Sequence, residues 1–328
     1  MIQKLYVIES YDTDPYRNIA LEKYLLDTLT PGDCVLYLWQ NKNTVVIGRN
    51  QNAWAECRTT LLEEEGGKMA RRLSGGGAVF HDLGNLNFTF LVNDEDYDVD
   101  KQLSVIQTAL AGLGIAAEKS GRNDLLVDGK KFSGNAFFHR GGHAYHHGTL
   151  LVNVNMEKLS RYLTPPKAKL EAKGVASVRS RVANLTEFVP ELTCDALRKY
   201  MAQAFSKVYG LPYCVKELDL EADKIIEEDR NTLSSWDWLF GSRLPFSFSC
   251  ERKFDWGWIQ MQLQVESGHV LHAQVYSDAM DWELPETVAN SLKGCKFNLD
   301  ALCAALRKGI SNQVIAEDLC SLMAEQDL

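Results

Sequence analysis

The sequence predicts an α+β fold followed by a small α/β domain, and three observations carry that prediction. Short apolar or alternating segments recur through the first 210 residues with turn signals between them. Helical stripes bracket and interrupt those segments. A stretch rich in Ser, Pro and Phe, Ser242 to Ser249, shifts the composition and is expected to separate a domain over 1–246 from one over 247–328.

Taken in order, Asp14-Pro15 opens a helix, with Asp14 as the expected N-cap and an apolar stripe through Ile19, Ala20 and Tyr24 that ends at Thr30-Pro31-Gly32. Cys34 to Trp39 and Thr44 to Gly48 are apolar runs around a polar Gln40 to Asn43 connection, which reads as a buried hairpin. A helix is expected from Arg58 to Glu65, a strand from Leu86 to Val92 and an amphipathic helix from Val99 to Leu113, with the acidic run Asn93 to Asp96 as a solvated loop. Asp128-Gly129 is a strong hairpin signal, and Arg140-Gly141-Gly142 a second turn before the strand His146 to Asn153. Helices at about 193–209 and 218–235 close the first domain. In the second, Ile259 to Val265 alternates apolar with Gln, turns at Glu266 to His269 and returns through Val270 to Tyr276, with helices after Pro285.

The stretch Arg71-Arg72-Leu73-Ser74-Gly75-Gly76-Gly77-Ala78-Val79-Phe80-His81-Asp82 stands out chemically. Glycines let backbone N–H groups approach a ligand, and arginine forks match phosphate or carboxylate oxygens. The alternative is a surface turn with solvated arginines. Because glycines weaken a strand, an anion site accounts for three of them better than a turn does.

Composition narrows the function. Lys and Arg number 35 against 44 Asp and Glu, a net charge of −9, which argues against a general nucleic-acid or anionic-membrane binder. No secretory or membrane-spanning apolar run is visible, so a soluble cytoplasmic protein is expected. The eight cysteines form no Cys-x-x-Cys pair, and the adjacent His146 and His147 point to opposite faces of a strand, so no metal centre is signalled. Lys167, Lys169, Lys173, Arg179 and Arg181 crowd one segment, either a solvated loop or a local anion contact.

After the Asp128-Gly129 turn, period-two counting places Lys131 on one strand face with Ser133 and Asn135, and Lys130 on the other with Phe132. Lys131, Arg71, the glycines and Asn123-Asp124 together supply cations, backbone donors, a carbonyl and a carboxylate. Such a set suits a nucleotide triphosphate held through Mg²⁺, and hence phosphoryl or nucleotidyl transfer. A dinucleotide fingerprint, a Walker A loop, a Gly-x-Ser-x-Gly elbow and a cysteine nucleophile motif are all absent.

Arg71 to Asp82, Gly121-Arg122-Asn123-Asp124-Leu125, Lys131-Phe132-Ser133-Gly134 and His147-Gly148-Thr149-Leu150-Leu151 together resemble the motifs of the lipoate–protein ligase A family. Similarity also covers Thr44 to Gln51, Lys173 to Thr186 and a C-terminal accessory domain; Leu73 and Phe132 depart from the usual small polar residue and Val. The resemblance implies a biotin/lipoate ligase-type mixed-sheet catalytic domain with flanking helices. It implies activation of (R)-lipoate by MgATP to lipoyl-AMP and pyrophosphate, then transfer to a lysine on lipoyl domains of 2-oxoacid dehydrogenase E2 subunits and the glycine cleavage H protein. By the same resemblance Lys131 is the catalytic residue, and Arg71, Gly76, Gly77, Ala78, Val79 and Lys131 bind ATP. Lys131, Gly75, His147 and Gly148 are expected at lipoate, and Asp124 and Asn123 on the Mg²⁺ side. The segment Lys167 to Arg181 is implied to lie near the adenylate. Two rivals are an octanoyl- or lipoyl-transferase of the same fold, which needs a pocket cysteine, and a non-catalytic lipoyl-adenylate binding module.

Overall fold

The computed structural model describes residues 1–121, 124–163, 182–217, 220–240 and 247–326. They form two compact units: Met1–Val46, Cys57–Arg71 and Val79–Leu239 in the first; Ile47–Glu56, Arg72–Ala78 and Phe240–Leu328 in the second.

Along the chain the elements are β1 (Lys4–Glu9), α1 (Pro15–Asp27), β2 (Asp33–Trp39), β3 (Thr44–Ile47), α2 (Ala53–Glu56), α3 (Thr59–Glu64), β4 (Lys68–Arg71), β5 (Val79–His81), β6 (Asn85–Asn93) and α4 (Val99–Ala111). There follow β7 (Glu118–Ser120), β8 (Asp124–Val127), β9 (Lys130–Arg140), β10 (His143–Leu151), α5 (Met156–Tyr162), α6 (Cys194–Tyr209), β11 (Tyr213–Val215), α7 (Leu220–Leu233) and α8 (Trp236–Phe240). The first unit is built on a mixed sheet ordered β11-β1-β2-β6-β10-β9-β8-β7, in which β1 runs parallel to β11 and β2 while the other pairs are antiparallel.

Alternation along these strands gives the sheet two unlike faces. Leu36, Leu38, Phe88, Phe90, Leu125, Phe132 and Leu150 point to one side and pack with Val105, Ile106 and Leu110 of α4 and Leu197, Met201 and Phe205 of α6. The registers Trp39 to Asn87, Tyr37 to Thr89, Asn87 to Thr149 and Thr89 to His147 put aromatic and polar side chains on the other side, which α1 partly covers. The expected opposition of His146 and His147 follows this division.

Three local expectations are corrected. Asp14 precedes α1 but makes no side-chain cap; its carboxylate takes Lys68 at 3.0 Å and Arg230 at 2.7 Å instead. The two runs around Gln40 to Asn43 are not a hairpin: β2 lies between β1 and β6, and β3 joins β4 and β5 in a separate three-stranded sheet. Within the connection Asn41 is fully buried, Lys42 is exposed and Asn43 takes φ 47°, and the chain is redirected there into another layer. The third concerns the face of Lys131, described below. Asp128 and Gly129, at φ 49° and 75°, do make the left-handed two-residue turn expected between β8 and β9.

In the second unit β12 (Phe248–Phe254), β13 (Gly257–Glu266) and β14 (His269–Ser277) form an antiparallel sheet, backed by α9 (Leu284–Leu292), α10 (Leu299–Gly309) and α11 (Gln313–Ala324). Ile259, Met261 and Leu263 face the helices while the intervening Gln residues stay half-buried, as the alternation predicts.

Burial pushes His146 down to about 3, so its ring is neutral. Its Nε2 lies 2.8 Å from Asn135 Oδ1 and its Nδ1 3.1 Å from Gln102 Oε1, while Gln102 Nε2 has no partner among the described residues; a proton on His146 Nε2 and the Gln102 amide turned end for end satisfy both contacts. A histidine held below its usual 6.5 contributes stability in full above that pH and loses it as pH falls toward about 3. His146→Gln is therefore expected to flatten the fall in unfolding midpoint below pH 6.5, read by denaturant titration at a series of pH values; an unchanged slope would show that other groups set acid lability.

Candidate active site

The sheet registers decide where Lys131 points. Leu125 pairs with Ser133 but Leu126 pairs with Lys131, so Phe132 is an extra residue in β9 and a β-bulge inverts the alternation at that point. Paired residues share a face, which puts Ser133 with Leu125 toward the apolar core and Lys131 on the opposite face with Asp124 and Gly134. Period-two counting through the bulge assigned Lys131 to the face of Ser133 and Asn135; the bulge reverses that assignment. Phe132, fully buried, is the side chain that gains from it.

Lys131 Nζ lies 2.7 Å from Asp124 Oδ1, with both side chains about one-third exposed. A Cβ on Gly134 would stand 3.0 Å from the Nζ, so glycine there leaves the amine room to lie across the strand. The neighbouring Lys130 points away and pairs with Glu187 at 2.9 Å. Lys131 is also braced through its backbone, whose carbonyl accepts from Ala183 N–H at 2.9 Å.

Two strands further in, a buried polar network lines the same face. Glu22 Oε1 accepts from Thr89 Oγ1 at 2.7 Å and lies 2.8 Å from His147 Nδ1, and Thr89 Oγ1 accepts from Trp39 Nε1 at 3.1 Å. Glu22 and Thr89 are fully buried and His147 nearly so. Burying a carboxylate costs several kcal/mol unless donors meet it, and these two do so for one of its oxygens. Gly148 faces the other way: a Cβ there would meet Gly134 O and the Phe88 ring at 2.7 Å, so its lack of a side chain serves strand packing.

Arg71 belongs to the first unit, where its fork is engaged by backbone. Nε donates to Trp238 O at 2.9 Å and Nη2 to Leu239 O at 2.5 Å, while Trp238 Nε1 returns a hydrogen bond to Arg71 O. The glycine stretch lies in the second unit. There Arg72 donates to the carbonyls of Gly75 and Gly77 at 2.7 and 2.8 Å, and Gly76 N–H donates to Ala279 O at 3.1 Å. Gly76 takes φ 88°, which favours glycine. A Cβ on Gly75 would stand 2.4 Å from Ala279 O, whereas among the described residues nothing lies within 4 Å of one on the exposed Gly77. Ala78 and Val79 are half-buried. Asn123 and the basic segment with Lys167, Lys169, Lys173, Arg179 and Arg181 fall outside the described residues.

Sequence reasoning brought Lys131 and Asp124 together correctly and missed Glu22, Thr89 and Trp39. A glutamate at the centre of an otherwise apolar helical stripe was the available signal for Glu22.

Residues 14–206 match the lipoyl protein ligase A/B catalytic domain, and 244–323 the bacterial lipoate protein ligase C-terminus. The chain belongs to the lipoate–protein ligase A family. It is 44% identical to the lipoate-protein ligase A of Psychrobacter cryohalolentis, over 90% of this chain and 89% of that one. Among solved structures, P. falciparum LipL1 in complex with lipoate superposes with a TM-score of 0.87 at 28% identity, covering 98% of this chain and all of the other. A lipoate-protein ligase A bound with ATP gives a TM-score of 0.65 at 25% identity, over 74% of this chain and 99% of that one.

The glycines of this ligase-family stretch should separate by role. Gly75→Ala is expected to destabilise the second unit by about 1–3 kcal/mol, because backbone must yield to the added methyl, and Gly77→Ala to change stability little. Denaturant midpoints of the two variants measure this, and equal midpoints would remove the packing role of Gly75.

Proposed function

We propose that the protein is an ATP-dependent lipoate–protein ligase acting in two steps. A lipoate carboxylate oxygen attacks the α-phosphorus of ATP, releasing pyrophosphate and leaving lipoyl-AMP. The ε-amine of an acceptor lysine then attacks the acyl carbon and AMP departs. The observation that carries this reading is the Lys131 ammonium, held on the polar sheet face beside Asp124 and within reach of solvent. There it can stabilise charge that develops between a carboxylate and a phosphate.

In this reading Lys131 is catalytic and contacts both substrates, and His147 and Gly75 belong to the lipoate side. Arg71, Gly76, Gly77, Ala78 and Val79 serve ATP, with a phosphate competing for the Arg71 fork against the Trp238 and Leu239 carbonyls. Gly148 shapes the strand beneath rather than touching lipoate. Mg²⁺, which characteristically takes one or two carboxylates together with substrate phosphates, would be held by the Asp124 carboxylate and would neutralise phosphate charge there. Acceptors are lipoyl domains of 2-oxoacid dehydrogenase E2 subunits and the H protein, and the compartment is the cytoplasm. Among the described residues no helix is long and apolar enough to cross a membrane. The division into a catalytic part, 1–246, and an accessory part, 247–328, is supported by family matches that end at 206 and resume at 244.

A thiol-dependent transferase is the weaker reading. Burial pushes Cys34 and Cys57, which precede the glycine stretch, up to about 12, so both stay protonated near neutral pH.

Lys131→Ala should lower lipoate-dependent pyrophosphate release by on the order of 10²–10³-fold, the loss typical of removing one charge-stabilising donor. Lys130→Ala, which loses only a half-exposed pair with Glu187, should change it little. Comparable losses in the two variants would overturn the assignment of Lys131.

A further inference from the structure

Asn87 is buried on β6, with 1% of its surface exposed, and its amide is only half satisfied. Asn85 Nδ2 donates to Asn87 Oδ1 at 2.8 Å, and Asn87 Nδ2 has no hydrogen-bond partner among the described residues. A buried donor left without an acceptor is costly, so a site that retains one is poised for a ligand atom.

Its place in the sheet says which ligand atom. Asn87 pairs with Thr149 of β10, Thr149 Oγ1 accepts from Gly134 N–H of β9 at 3.3 Å, and Lys131 Nζ lies over Gly134. Asn87 therefore shares the polar face with the Lys131 ammonium, two strand spacings or about 10 Å away. That separation is comparable to an extended lipoate measured from carboxylate to ring. On the other side Asn87 pairs with Trp39, whose ring borders the same row. Of the other polar groups on the face, Thr89 and His147 are already tied to Glu22, and Asn85 gives its amide N–H to Asn87 while its own Oδ1 has no partner among the described residues.

We propose that Asn87 is a specificity-determining residue, donating its free amide hydrogen to a dithiolane sulfur of lipoate while the carboxylate lies at Lys131. The sulfurs are the only acceptors at that end of the molecule. Octanoate, with the same chain length and a terminal methyl, leaves the donor dehydrated and unpaired, so the residue selects lipoate over octanoate.

The inference rests on the ligase reading, and its test keeps the two apart. Pyrophosphate release is followed with lipoate, octanoate and the carbocycle in which a cyclopentane ring replaces the dithiolane, using the unaltered protein, Asn87→Leu and Asn87→Asp. The expected result is a preference for lipoate over the carbocycle of about fivefold or more in kcat/KM, lost in both variants through a higher KM for lipoate at unchanged kcat. Asn87→Asp keeps the acceptor for Asn85 and so decides the matter where the leucine variant does not fold. No preference in the unaltered protein, or losses shared equally by all three acids in the variants, would overturn the role of Asn87. No acid-dependent release with any of the three would instead overturn the ligase reading itself.

Discussion

The extra residue at Phe132 sets the chemistry of the first unit, because it lets two consecutive requirements be met by one strand. The core needs a large apolar side chain under Leu125, and the opposite face needs a cation over Gly134; strict alternation from Lys131 onward would satisfy only one of these. With the bulge, Phe132 is buried and Lys131 lies beside Asp124. The neighbouring strands then need no irregularity of their own to complete the polar row, since Thr149 and Asn87 follow from regular pairing. The Lys131 ammonium is thereby mounted on a sheet rather than on a loop, which restricts its position to the few rotamers that clear Gly134.

The polar face is unusual in being buried as well as polar. Glu22, Thr89, Trp39 and His147 satisfy one another through a chain of hydrogen bonds, but not completely: Glu22 Oε2 and Asn87 Nδ2 have no partner among the described residues. In a core devoted to stability such atoms would be replaced by apolar groups of similar shape at little cost. Both atoms therefore remain open to a further polar partner on this face. The apolar face makes that arrangement tolerable, since Phe88, Phe90 and their partners under α4 and α6 supply burial that does not depend on the polar side.

Much of the fold was legible because its signals are local. The Asp128-Gly129 turn, the helix from Val99 and the alternation from Ile259 each follow from a few residues, and each appears where expected. The β2 and β3 pairing was not, because two adjacent apolar runs say nothing about whether they pair with each other or with strands far away in sequence. The face of Lys131 was misread for a different reason: a bulge is a matter of register between two strands, and a single strand carries no mark of it. Lys131 and Asp124 were legible as a pair through the family motifs, whereas Glu22 was hidden inside a helical stripe that looked merely apolar.

Arg71 and Arg72 show how far residue type can carry an argument about binding. A guanidinium fork accepts a phosphate oxygen or a peptide carbonyl with the same geometry, so two adjacent arginines before a glycine stretch are equally fit to hold an anion or to brace backbone. Here both forks face carbonyls, Arg71 those of Trp238 and Leu239 and Arg72 those of Gly75 and Gly77. The glycines divide in the same way. Gly75 and Gly76 are used for close approach to Ala279, while the exposed Gly77 leaves space beside its backbone. A motif can thus be right about the family and silent about which of its atoms meet the substrate. That division of labour follows from the packing of the chain against itself, because a donor that the backbone already uses is open to a ligand only by exchange.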